Sequence, residues 1–390
     1  MKIVINALSA YEGGAFNYLS QILKNLPQPS SHQIKVFVRP SNVPLLSSLP
    51  NVEPVAVPWG SKSLFHRILW ERFYLSFFLY RWKADLVLNP GCTLNCFIPK
   101  NCRAAVVFQN LLPFDDRERR QYRWSRMGLR LFLLRQVMSK SLKKADLIIF
   151  PALYVKDALT GLIPSIAPKT MVINYGLTDN FKIAQNNTIP KPPNLTSPYI
   201  LYVSTFFHYK AQLEVIEAYS LLKKMRETPE KLVMAGSGDP NYIQMVHEKI
   251  IKLGLEKDIT HIPHVPHNKL PHYYKHAKVN LFASRCECLS FSYLEMLGAG
   301  RPIVASNRAS MPRAGGDAPL YFDPDNPKEL AILLRRVLDD DTLRESMASK
   351  AKDRAELFQW NRAGAKTWRT LEGLVKGPLL NNTSELLEVA

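Results

Sequence analysis

Two carboxylates, Glu287 and Glu295, stand eight residues apart around the start of a helical pattern, and no other pair in the chain suggests chemistry so directly. Ala277 to Ser284 is a short apolar run with a polar end, and Leu289 to Leu297 has helical apolar spacing. Gly298-Ala299-Gly300-Arg301-Pro302 then stops the helix before another apolar run. In such a strand, loop, helix, strand unit, Glu287 lies in the loop beyond the strand's carboxyl end. Glu295 sits deeper along the helix, roughly 12 Å away if all eight steps are helical. That spread is too wide for one metal ion and suits the two ends of an elongated ligand. Taken alone, such a spacing is far more often one loop carboxylate and one solvated helix carboxylate, so its meaning depends on the elements around it.

Those elements alternate. Lys2 to Ala7, Gln33 to Val38, Asp85 to Asn89, Arg103 to Phe108, Asp146 to Phe150 and Lys169 to Asn174 read as strands separated by helical patterns, which implies a parallel, doubly wound sheet. Residues 186–198 (NNTIPKPPNLTSP) carry four prolines and read as a linker between a first domain, 1–185, and a second, 199–358. The second half repeats the alternation, with strands at Tyr199 to Ser204, Lys231 to Ala235, Ile259 to Ile262, Lys278 to Phe282, Pro302 to Ala305 and Leu320 to Phe322. Amphipathic helices follow from Leu343, and residues 359–380 are long enough to return to the first domain; Asn381 to Ala390 reads as a frayed tail. A chain of 390 residues, 46% hydrophobic and 22% charged, can bury two such cores. No apolar run approaches the roughly 18 residues that span a bilayer, and Met1 to Ala10 is too short an apolar core for a signal peptide, so the chain is expected in the cytosol. Cys92, Cys96, Cys102, Cys286 and Cys288 lack the paired spacing of a zinc site and read as reduced structural thiols.

Charge is unevenly shared. The net +18 divides into +14 over residues 1–190 (24 Lys+Arg, 10 Asp+Glu) and +4 over 191–390 (27 and 23). Arg119, Arg123, Arg126 and Arg130 recur at steps of 4, 3 and 4, which places them on one face of a helix between Arg117 and Lys144. Met127, Leu131, Leu134 and Met138 form the adjoining apolar stripe. With Tyr122 and Trp124, such a helix can lie on an anionic membrane; it can equally pack on its own domain with a solvated basic face. The Phe-, Tyr- and Leu-rich segment Leu64 to Trp82, with Lys62, Arg67, Arg72 and Arg81, favours the membrane. Nucleic acid is the rival explanation, but the chain has no helix-turn-helix, zinc-finger or RNP-like pattern.

In this order the features resemble the family 4 retaining glycosyltransferases of the GT-B fold over most of the chain. Five stretches carry the likeness: Gly13-Gly14 after the first strand; Ile200 to Ser204 with Lys210 and Glu217-Ala218-Tyr219; Leu232 to Gly238; Glu287 to Ser306; and Ser310-Met311-Pro312 through Tyr321-Phe322-Asp323-Pro324. The resemblance implies an α/β, GT-B architecture of two Rossmann-like doubly wound domains facing across a cleft. It implies a nucleotide-diphosphate-sugar donor, a glycan or glycolipid acceptor, and neither a cofactor nor an essential metal. Glu295 would hold the ribose hydroxyls, Glu287 the donor sugar, Lys210 the diphosphate, and the Ser290 and Phe291 amides sugar or phosphate. Gly13 and Gly14 would let backbone approach the phosphates, and Gly236, in the glycine turn after its strand, would belong to the donor site. Three positions depart from the family's pattern. Ser204 to Ala211 lacks the Arg that often precedes the phosphate lysine, leaving Arg285 or Arg313 as alternatives; Arg313 itself stands where relatives often have Glu; and Gln109-Asn110 replaces an acceptor-facing His-Asp, so no general base is supplied there. The expected activity is transfer of a hexose-type sugar to a lipid-linked or growing glycan at the cytosolic face of a membrane. A binding protein without turnover and a nucleotide-sugar epimerase of the same architecture remain as alternatives, and a glycoside hydrolase fits poorly, since that chemistry needs two carboxyl groups across one bond.

Overall fold

The computed structural model describes residues 1–182, 189–193, 195 and 198–377, which divide into two compact units. Among the described residues, the first comprises Met1–Gly176 and 360–377. Its strands are β1 (Lys2–Asn6), β2 (Gln33–Val38), β3 (Val52–Ala56), β4 (Leu86–Asn89), β5 (Arg103–Val107), β6 (Leu147–Phe150) and β7 (Thr170–Val172). They form one parallel sheet in the order β3-β2-β1-β4-β5-β6-β7. β4 and β6 are buried along their whole length, as strands covered by helices on both faces must be. The order reverses between β1 and β4, paired through Ile3 and Leu86, which is the place in such a sheet where the loops leaving adjacent strands turn to opposite faces.

The second unit, Leu177–Gln359, repeats the plan with β8 (Tyr199–Val203), β9 (Lys231–Ala235), β10 (Ile259–Ile262), β11 (Val279–Phe282), β12 (Ile303–Ser306) and β13 (Leu320–Phe322). Their order is β10-β9-β8-β11-β12-β13, again all parallel, with the reversal between β8 and β11. Its core gathers Ile200, Tyr202, Leu232, Met234 and Val279 from the sheet under Val215, Tyr219, Leu330 and Leu334 from the helices Gln212–Met225 and Pro327–Asp339.

Several sequence expectations change. β3 was not expected: Pro54 and a half-exposed pattern hide it, and both are tolerated because it is the sheet's edge strand. The first unit ends at Gly176, because Leu177 already donates its N–H to Phe358 O and Phe181 packs in the second unit. Of the expected linker, residues 186–188, 194, 196 and 197 lie outside the described residues, as do 378–390. The four arginines do not share one helix. Asp116–Arg120 and Arg126–Lys144 are separate helices, so Arg119 lies on the first, Arg123 in the connecting turn, and Arg126 and Arg130 on the second. Ser125 caps the second helix by accepting from the Gly128 N–H, and a Cβ on Gly128 would fall 2.1 Å from the Tyr122 carbonyl, so the chain breaks here. Helix Trp360–Lys376 belongs to the first unit, where the buried Trp368 ring donates to Ile22 O at 2.8 Å.

Candidate functional site

The loops leaving β8 and β11, which flank the order reversal of the six-stranded sheet, bring Lys210 and Glu287 together. β8 runs into Ser204–Ala211, a loop fixed by the fully buried Gln212, whose amide donates to Ser204 Oγ and Thr205 O at 2.9 Å. It closes in a short 3₁₀ turn, His208–Lys210, and Ala211 adopts a left-handed conformation (φ 56°) that few non-glycine residues take. The turn directs the buried Lys210 side chain inward, where its ammonium donates to a Glu287 carboxylate oxygen. Burial disfavours the ammonium, but Glu287, with Tyr209 and Tyr202 beside it, outweighs that cost and holds the Lys210 pKa above its ordinary value. The β11 loop is tied to the β8 loop by Arg285, whose N–H donates to Tyr209 O and whose guanidinium reaches His208 O, Asp325 and Glu214 at 2.6 to 2.9 Å. Arg285 is thereby committed to holding the loops together, and Arg313 is exposed on the short Met311–Gly315 helix.

After Ser290 the helix Phe291–Gly298 begins. Ser290 stands at its N-cap position, but its hydroxyl pairs with Ser292 Oγ at 2.9 Å rather than capping a backbone N–H. One turn on, Glu295 is buried: its Oε1 meets His267 Nε2 at 2.8 Å and its Oε2 accepts from the Tyr274 hydroxyl at 3.2 Å. Sequence reasoning missed both partners; the only signal was a histidine just beyond β10, at the same end of the sheet. Gly236 has a backbone reason for its identity. At φ 142°, a Cβ there would lie 2.0 Å from Ser204 O, while its N–H is used by Ile262 O and its carbonyl pairs with the His261 ring. It shapes the β8 loop rather than offering an amide to a ligand.

In the first unit, Gly13 (φ 61°) and Gly14 open the helix Gly13–Lys24 directly after the β1 loop, with no side-chain cap, and a Cβ on Gly13 would meet nothing. Gln109 and Asn110 follow β5. Around the carboxyl ends of β1, β4 and β5, four buried polar atoms lack partners: Ser9 Oγ, Asn89 Nδ2, Thr93 Oγ1 and Gln109 Nε2. Gly91 holds this region tight, for a Cβ there would overlap Ser9 Oγ. Beside it, the wholly buried Glu71 accepts from Asn6 at 2.9 Å and from Asn95 at 2.5 Å, and burial raises its pKa. Among these, only Gln109 was singled out from sequence.

The surface of this unit is unusually apolar along the helical rod Leu64–Trp82, which winds as a π-helix from Trp70 to Leu75. Phe65, Phe73, Phe77 and Tyr80 are 64 to 74% exposed, and the Arg72 guanidinium lies 3.7 Å from the centroid of the exposed Phe97 ring. On helix Arg126–Lys144 the expected stripe turns inward at Leu131 and Met138, whereas Leu129, Phe132 and Leu133 are exposed near Arg126 and Arg130. No helix among the described residues is long and apolar enough to cross a membrane.

Residues 184–354 match the family model of the glycosyl transferases group 1. The O-antigen chain mannosyltransferase B of Escherichia coli is 28% identical over 170 residues, 43% of this chain and 44% of that protein, so the chain spans less than half the length of this curated relative. Among solved structures, a sucrose-phosphate synthase from Thermosynechococcus elongatus superposes with a TM-score of 0.76 at 18% identity, covering 95% of this chain and 98% of that one. HepE of Anabaena, solved in complex with UDP-glucose, gives 0.67 at 17% identity, covering 95% and 99%. With the two parallel sheets described above, these likenesses make the fold GT-B.

Proposed function

We propose that the chain, whose residues 184–354 match the family model of the glycosyl transferases group 1, is a retaining, metal-independent glycosyltransferase with a nucleotide-diphosphate-sugar donor. The observation that carries the reading is the buried Lys210–Glu287 pair, set at the carboxyl ends of β8 and β11 where the strand order reverses. A diphosphate needs a cation held in low dielectric, and Lys210 is one that stays protonated at any physiological pH. Glu287, its partner, is the acceptor for donor-sugar hydroxyls, and Glu295 on the following helix takes the ribose diol. In the transfer step the acceptor oxygen attacks the anomeric carbon on the face from which the nucleoside diphosphate departs. The carbon to phosphate-oxygen bond breaks with its electron pair moving to the phosphate. That oxygen receives the acceptor's proton, so the lack of a carboxylate or imidazole at Gln109-Asn110 is no obstacle. Lys210 stabilises the charge that grows on the leaving group.

For the acceptor we infer a lipid-linked or growing glycan. The unpartnered Asn89 Nδ2 and Gln109 Nε2, with the hydroxyls of Ser9 and Thr93, suit neutral sugar hydroxyls. The exposed aromatic rod Leu64–Trp82 with its arginines suits an anionic membrane surface on the cytosolic side. The proposed assay incubates the chain with UDP-, GDP-, ADP- and dTDP-sugars and measures nucleotide release in the presence of membrane extracts. Lys210→Ala and Glu287→Ala, checked for folding by thermal unfolding, should each lower release by about a hundredfold or more. Release unchanged in both variants overturns the reading. Stabilisation by a nucleotide without turnover favours a binding protein, and donor interconversion without release an epimerase.

A further inference from the structure

We propose that His267 is a positioning residue that, with Tyr274, fixes the Glu295 carboxylate in the one orientation that receives the donor's ribose diol. The inference rests on the reading above, in which Glu295 holds that diol. Glu295 sits in the middle of an eight-residue helix, Phe291–Gly298, and a carboxylate at the end of two methylenes has several rotamers open to it. Here both oxygens are tied, Oε1 to His267 Nε2 at 2.8 Å and Oε2 to the Tyr274 hydroxyl at 3.2 Å. An ionised carboxylate offers about four lone-pair sites. Two are spent on the clamp, and two remain on neighbouring oxygens, the pattern a vicinal diol requires. Phe181 backs the clamp, its ring centroid 4.8 Å from that of His267 and 6.1 Å from that of Tyr274. Tyr274 is fully buried, and its hydroxyl stays protonated because burial, then the charge of Glu295, raise its pKa well above the ordinary value. His267 is half-exposed and is the member that titrates.

The titratable groups on the surrounding elements are Tyr293 and Glu295 on the helix Phe291–Gly298, His272, Tyr273, Tyr274, Lys275 and His276 on the helix Leu270–His276, Asp179 and Lys182 on the Phe181 turn, and Lys269 on the turn of His267 itself. Asp179 and Lys182 pair with each other at 2.9 Å, and Glu295 is the carboxylate within ion-pair distance of His267. The hydrogen bond that His267 donates to the Glu295 carboxylate raises the His267 pKa against the opposing effect of burial. As the imidazolium, His267 donates from both nitrogens and the clamp is always made. As the neutral ring it is shared between two tautomers, and only one of them donates from Nε2. Donor affinity is therefore highest at acid to neutral pH and falls as the pH rises through the His267 pKa.

The test is titration calorimetry of the full chain with UDP-glucose, GDP-mannose and ADP-glucose, whose diphosphates do not titrate near neutrality. It compares wild type, His267→Gln, His267→Ala and Glu295→Ala. With the nucleotide sugar that binds wild type most tightly, affinity should fall a fewfold from about pH 6 to about pH 8.5. His267→Gln, which keeps an N–H at the same reach and cannot titrate, should bind within about threefold of wild type at the lower pH with no pH dependence. His267→Ala should lose about tenfold and lose preference for the ribose form over its 2′-deoxy analogue, a change that a merely structural defect does not produce. If wild type and His267→Gln share one pH profile, or His267→Ala keeps wild-type affinity while Glu295→Ala does not, the positioning role is overturned and the ribose reading stands. Wild-type affinity in Glu295→Ala, or no binding of any probe to wild type, overturns both.

Discussion

At the scale of single residues, the site is organised by what each polar group already touches. Lys210 cannot be a solvated helix-start lysine, because it is buried and paired with Glu287. Its raised folded pKa means that the pair's stabilisation is complete below the unfolded lysine value of about 10.4 and is lost only above it. An alkaline limb in the rate profile below about pH 10 therefore belongs to another group, and Lys210→Arg should show the same limb as wild type. His267 works in the same direction at lower pH. Its folded pKa is raised, so its contribution to stability is present below about pH 6.5 and is lost as the pH climbs through the folded value. The difference in melting temperature between wild type and His267→Gln should shrink over that climb, and a gap that widens with pH would contradict the pairing. Gly236 gives a steric prediction. A methyl group there meets the Ser204 carbonyl at 2.0 Å in a backbone conformation of φ 142°, so Gly236→Ala should destabilise by about 1–3 kcal/mol in denaturant unfolding. It should disturb the Lys210 loop at the same time.

At the scale of elements, the helices do two kinds of work. Trp360–Lys376 closes the first unit by burying Trp368 against the Gly13–Lys24 helix, with the indole N–H satisfied by Ile22 O. Trp368→Ala should cost about 3–5 kcal/mol, read as a lower midpoint in urea. The Leu64–Trp82 rod instead turns aromatic rings to solvent, and the break at Ser125 separates the arginines into two groups. The proposed membrane contact would then rest on the rod and on Arg126 and Arg130 more than on Arg119, which is held by Asp116 at 2.9 Å. In flotation with anionic vesicles, Phe73→Ser with Phe77→Ser should release the protein, and Arg126→Glu with Arg130→Glu should weaken binding more than Arg119→Glu does. Equal flotation by all three variants would count against the membrane surface.

At the scale of the whole molecule, the +18 charge is concentrated in the residues that build the first unit, so vesicle binding should weaken steeply as salt approaches about 1 M, where the Debye length is about 3 Å. The fold class was legible from the sequence. Runs such as β6 Leu147–Phe150 and β11 Val279–Phe282 are apolar on both faces, helical patterns lie between them, and only a parallel, helix-covered sheet satisfies both. β3 was hidden because an edge strand tolerates Pro54 and partial exposure. The helix around Arg119 to Arg130 was misjudged because periodicity reads spacing and is blind to a cap such as Ser125. At the site, spacing drew attention to Glu287 and Glu295, and the resemblance carried by the order of the surrounding motifs marked Lys210 beside them. Which atoms they meet was decided only by the tertiary structure. The Lys210–Glu287 contact joins residues 77 positions apart, and the hydrogen bonds of His267 and Tyr274 to Glu295 join elements that follow different strands. No local pattern encodes those distances, because they arise when the sheet order β10-β9-β8-β11-β12-β13 brings the strands' carboxyl ends side by side.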